Sequence, residues 1–89
     1  MKELFEKIEA LIRGEYNLDG EGLLEVAADL ECTASKAEDE LRKVGKDFAE
    51  LLIEGIIDIG EDYDNGTPEE GAEYTRRIKG LYEYAKTMM

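Results

Sequence analysis

Leu4, Phe5, Ile8, Leu11 and Ile12 recur at intervals of three and four, with Lys and Glu filling the positions between them. Apolar residues on a 3.6-residue period line one face of a helix, so the pattern predicts a helix over about 1–13. Gly14 and the polar, glycine-containing run 17–22 interrupt the period and predict a loop. Helical spacing resumes over 23–31 through Leu23, Leu24, Ala27 and Leu30, and Cys32-Thr33-Ala34 reads as a break. Ser35 and Glu38 form an S-x-x-E pair, a capping box that predicts a new helix start. From there Leu41, Val44, Phe48, Leu52, Ile56, Ile59 and Tyr63 step by three or four without a proline. This predicts one long helix over about 35–64. Gly45, Gly55 and Gly60 weaken it by up to ~1 kcal/mol each, but they also permit close approach of a neighbouring helix.

Asp64-Asn65-Gly66 is a stop signal, and Thr67-Pro68-Glu69-Glu70 is a start. Thr supplies the cap, Pro suits the first helical position and Glu follows three residues after the cap. The last helix is predicted to reach about residue 87, with Tyr74, Ile78, Leu81, Tyr82 and Ala85 on its apolar face. No strand-like alternation of useful length occurs. The fold class predicted is all-α. It is a single domain over 1–89, a bundle of about four amphipathic helices with a helix-turn-helix-like packing unit at about 23–44.

Composition narrows the choice of function. Eighty-nine residues suit one modest core, burying about 60–65% of the surface the unfolded chain exposes. The net charge is −12, from 23 acidic and 11 basic residues. That field repels phosphate backbones and anionic membranes and attracts basic partners. A single cysteine allows no internal disulfide and suits a reducing compartment. The N-terminal stretch lacks an uninterrupted apolar run of signal-peptide type, and Glu54 and Asp58 interrupt the most apolar segment. An intracellular, cytoplasmic protein with no membrane contact is expected.

Three patterns carry candidate chemistry. In 26–41, Val26, Ala27 and Leu30, a turn at Cys32-Thr33, and Ala37 and Leu41 follow the spacing of a helix-turn-helix. Over these sixteen or so residues the chain resembles helix-turn-helix proteins of the bacterial and phage repressor kind. It departs from them at Glu31, where they usually carry a turn glycine. It departs again at Glu38, Asp39 and Glu40, where a DNA-reading helix presents cationic or amide side chains. DNA affinity comes largely from neutralising phosphates, and a chain at −12 lacks that term. Direct nucleic-acid binding is therefore not expected, and two helices packed at a tight turn explain the spacing as well.

The second pattern is 17–28, which looks like an EF-hand calcium loop. Asn17, Asp19 and Glu21 occupy positions 1, 3 and 5, Gly22 position 6, Leu24 position 8 and Glu25 position 9. Position 12 is Ala28 where the bidentate Glu belongs, and Asp29 falls one place late. A glycine-rich connection, with Asp19 or a neighbour capping the next helix, accounts for the same residues. No metal or cofactor is expected.

The third pattern is a row of carboxylates. Asp47, Glu50, Glu54, Asp58 and Glu61 are spaced 3, 4, 4 and 3, which aligns them along one side of a helix, with Asp62 adjoining. Between Lys46 and Arg76 there are ten acidic residues and no basic one. Like charges at i, i+4 disfavour a helix by a few tenths of a kcal/mol per pair. A solubilising surface ordinarily mixes signs, so the row reads as a recognition surface for a basic partner. In charge, size and helical content the chain is similar to small phage proteins that block host defence enzymes, anti-CRISPR proteins among them. That likeness implies an inhibitor whose negative face occupies a basic, nucleic-acid-binding groove, in the host cytoplasm if the chain is phage-encoded.

Catalysis is not expected. The chain has no His, Cys32 has no base to activate it, and Ser35 is explained as a cap. Toward the C-terminus Arg76, Arg77, Lys79 and Lys86 complement a helix dipole or pair with the long helix. Tyr63, Tyr74, Tyr82 and Tyr84 read as interface anchors. Tyr84 lies off the apolar face and, with Met88 and Met89, suggests a homodimer seam. The function expected is a small acidic, non-enzymatic protein-interaction module, binding a basic protein surface through Asp47, Glu50, Glu54, Asp58, Glu61 and Asp62. A helix-turn-helix-like regulator or adaptor is the alternative, and a calcium-binding helix-loop-helix the third reading.

Overall fold

A computed structural model describes residues 2–16, 18, 20–63 and 66–88. Five helices follow one another, with no strand among the described residues: α1 (Lys2–Ile12), α2 (Glu21–Lys36), α3 (Glu38–Val44), α4 (Lys46–Glu61) and α5 (Pro68–Lys86). All of them contribute to one apolar core. Leu4, Ile8 and Leu11 enter it from α1, Leu52 and Ile56 from α4, and Tyr74 and Ile78 from α5. The periodicity of the first and last helices is realised in this packing. α4 lies against α2, α3 and α5 and is the element around which the others are arranged.

The predicted helix boundaries need correction in the middle of the chain. Cys32-Thr33-Ala34 is not a turn: α2 runs through it to Lys36. The Thr33 hydroxyl donates to the Asp29 carbonyl at 2.8 Å and accepts from Lys7 Nζ at 2.9 Å. A threonine whose hydroxyl is satisfied inside the helix has no reason to end it. Ser35 therefore lies within α2. The interruption falls at Ala37, which precedes α3 without any side-chain cap. Cys32 is exposed on α2 and not buried in a turn. The turn at Cys32-Thr33 that the helix-turn-helix spacing of 23–44 placed there is absent, and the two helices of that stretch meet at Ala37 instead.

The long helix predicted over 35–64 is divided at Gly45, whose backbone is extended (φ 168°, ψ 142°). The division has a packing reason. Leu41 and Phe48 are both buried, whereas Val44, in register with them on a continuous helix, is 40% exposed. Breaking at Gly45 lets the segments on either side turn their own apolar faces inward. Gly55 and Gly60, by contrast, lie inside α4 and serve close approach. A Cβ on Gly55 would sit 2.7 Å from Leu81 Cδ1 of α5, and one on Gly60 would meet the Glu31 carboxyl group of α2.

The start of α5 follows its sequence signal. Thr67 Oγ1 accepts from the Glu70 N–H at 3.2 Å, with Pro68 opening the helix. Asp64 and Asn65 of the expected stop signal lie outside the described residues. Of the calcium-like pattern, Asn17 and Asp19 also lie outside them. The rest of it, from Glu21 onward, is already helical, so Gly22 does not bend a loop round an ion. Gly20, with no side-chain cap, precedes α2. Two glycines seat this connection against the start of α5. Gly66 (φ 70°) is packed against the Gly20 carbonyl, and a Cβ on Gly71 would lie 2.8 Å from the Leu18 carbonyl oxygen.

Candidate functional site

The carboxylate row survives the correction at Gly45 because all of it lies in α4 or at its end. α4 buries Phe48, Ala49, Leu52, Ile56 and Ile59. The residues at the complementary helical positions point away from the core, and Asp47, Glu54, Asp58 and Glu61 are exposed. From Asp47 to Glu61 the row spans roughly 21 Å at 1.5 Å per residue.

The six predicted site residues do not share one environment. Glu50 is half-buried, and its carboxylate lies 3.9 Å from Lys46 Nζ, one turn back. Asp62 turns toward α5 and forms a 2.6 Å ion pair with Arg77. Arg77 also donates to the Tyr63 hydroxyl at 3.2 Å and lies 5.5 Å from the centroid of that ring. Its hydrogen bonds to Tyr63 and Asp62 raise its affinity for its proton further. Arg77 thus ties Asp62 to the C-terminal helix, the one direct pairing of that helix's cations with the carboxylate row. Among the described residues, no cation comes within ion-pair distance of Asp47, Glu54, Asp58 or Glu61. These four form the open part of the row.

Glu61 acts on a further acid. Glu31 of α2 is half-buried over Gly60, and burial, followed by the charge of Glu61, pushes its carboxyl above the ordinary value.

Beside the row runs a feature that the sequence reading did not assemble. Leu51 and Gly55 of α4 form the floor of a groove of about 390 Å³, with Tyr84 and Met88 on its far side. Asp47, Glu50, Glu54 and Asp58 form the near rim. A second depression around Gly45, Lys46 and Phe48 shares Asp47 and Met88 with the first and prolongs it toward α3. Tyr84 is 58% and Met88 43% exposed. The end of α5 is held by hydrogen bonds from Thr87 Oγ1 to the Tyr84 carbonyl (2.6 Å) and from the Met88 N–H to the Ala85 carbonyl (3.0 Å). The sequence signal for this groove was the position of Tyr84 off the apolar face. The other expected tyrosine anchors are core residues: Tyr63, Tyr74 and Tyr82 are all buried. Tyr82 donates to Glu9 at 2.8 Å, and burial together with that bond pushes its phenol up to about 12.

No group of three or more His, Cys, Asp or Glu side chains among the described residues is placed to hold a metal ion. No helix among them is long and apolar enough to cross a membrane. Comparison with protein-family models, with curated proteins and with solved structures finds nothing that matches this chain.

Proposed function

We propose that the protein is a non-enzymatic interaction module that receives a basic protein surface on the acidic face of α4. In this reading it acts as an inhibitor: the carboxylates take the place of phosphates in a partner's nucleic-acid-binding groove. The observation that carries the reading is the line formed by Asp47, Glu54, Asp58 and Glu61, which runs over four turns with no ion-pair partner among the described residues. An uncompensated row of one sign on a rigid helix focuses field toward solvent, and a cationic groove gains most by accepting it.

Displacement tests the reading. A lysine-rich DNA-binding domain is loaded with labelled duplex and titrated with the protein at low salt. The wild type is expected to release the duplex, and the triple variant Asp47→Asn, Glu54→Gln, Asp58→Asn to lose that ability. Binding of the protein to the duplex-free domain, measured separately, should fade toward ~1 M salt, where the screening length is about 3 Å. A triple variant that displaces duplex as well as the wild type, with helicity unchanged by circular dichroism, removes the row from function.

A further inference from the structure

The acidic row is one wall of something more specific than a charged surface. Its inner edge borders a groove with an apolar floor, Leu51 and Gly55, and an apolar far wall, Tyr84 and Met88. Gly55 carries no side chain, and Leu81 of α5 packs into the space a Cβ would take, which draws α5 close along this edge of α4. The depression around Gly45 and Phe48 continues the same trough past the start of α4. From Gly45 to Asp58 the trough follows α4 for roughly 20 Å, the length of about thirteen residues of a second helix. Among the described residues, Lys46 is the one cation lining either part of it.

We infer that this trough binds an amphipathic, basic helix of a partner protein, with apolar side chains seated between Leu51 and Tyr84 and Lys or Arg side chains laid over Asp47, Glu54 and Asp58. The inference rests on the reading that the acidic face of α4 receives a basic partner, and it specifies that partner's form. Charge selects among possible occupants. A second copy of this chain would bring its own row of carboxylates and its own net charge of −12 against the first. A nucleic acid would bring phosphates. A purely cationic segment would leave Tyr84 and Met88 in water. A helix with one apolar stripe flanked by cations satisfies both walls, and tyrosine and methionine are side chains that suit such a groove by combining area with adaptability.

The test uses three synthetic peptides: a Leu/Lys peptide of about fourteen residues with Leu at helical spacing, a scrambled peptide of the same composition, and a shorter oligolysine of the same net charge. Binding to the full chain is measured by calorimetry, with the Tyr84 and Met88 resonances followed by NMR. The Leu/Lys peptide is expected to bind at least about tenfold more tightly than either control, the worth of one buried leucine side chain. It should shift the resonances of Tyr84 and Met88. Tyr84→Ser, a change at an exposed position, should erase most of that advantage while leaving oligolysine binding unchanged. Equal affinity for all three peptides, or a Tyr84→Ser variant that keeps the advantage, overturns the trough while leaving the acidic face standing. Failure of oligolysine and Leu/Lys peptide alike to bind at low salt overturns both.

Discussion

Tyr74 is fully buried, packs edge-on against Tyr63 at 5.7 Å between ring centroids, and its hydroxyl has no hydrogen-bond partner among the described residues. Burial, with a smaller push from Glu31, drives its phenol well above the ordinary value. A buried hydroxyl without a partner is a desolvation penalty with no return. Tyr74→Phe is therefore expected to stabilise the fold by up to ~1 kcal/mol, read by urea denaturation. Glu31 carries the companion prediction. Its carboxyl is raised because burial and Glu61 disfavour the charged form in the fold. Its favourable contribution is then complete below the ordinary value of 4.5 and is lost as pH rises through the raised folded value. Glu31→Gln should stabilise the protein at neutral pH by ~0.2–0.5 kcal/mol, the scale of one like-charge neighbour. The wild type should regain that difference on mild acidification and the variant should not, as a melting series against pH will show.

The helices themselves set the next level of constraint, and α5 offers a clean contrast between two of its glycines. A Cβ at Gly71 would fall 2.7 Å from Leu18 Cβ and 2.8 Å from its carbonyl oxygen, so the backbone of the preceding connection would have to move. Gly80 has no heavy atom within 4 Å of the same position. Gly71→Ala should destabilise by ~1–3 kcal/mol through overpacking. Gly80→Ala should stabilise by up to ~1 kcal/mol through helix propensity alone. Thermal melts of the two variants measure how tightly Leu18 is seated on α5. The same logic explains the break at Gly45. There the helix divides so that Leu41 and Phe48 can both reach the core. At Gly55 and Gly60 the helix continues and a neighbour moves in instead.

At the scale of the whole molecule, charge dominates. Twenty-three acids against eleven bases leave −12 on 89 residues, and the acids of α4 gather on one face. Self-repulsion of this size opposes the compact state and is screened by salt. The melting temperature should therefore rise as ionic strength goes from ~0.01 to ~0.15 M, where the screening length falls from about 30 to about 8 Å. A variant carrying Glu54→Gln and Asp58→Asn should show a shallower rise. A melting temperature insensitive to salt would mean that self-repulsion does not limit the stability of this fold.

Local rules reached as far as the all-helical class, the core stripes of the first and last helices, the Thr67-Pro68 start and the alignment of Asp47, Glu54, Asp58 and Glu61. Each depends only on residues within a few turns of one another, and 3.6-residue spacing is enough to read them. Non-local packing settled the rest. Thr33 continues α2 because Lys7, twenty-six positions away, shares in satisfying its hydroxyl. Asp62 leaves the row because Arg77 reaches across from α5. Val44 falls outside the core because Gly45 turns the chain. Tyr84 and Met88 become a wall beside the carboxylates only because Gly55 lets α5 lie close against α4. Periodicity along one chain segment reports which face of a helix is apolar; it carries no information about which distant residue will arrive to meet it.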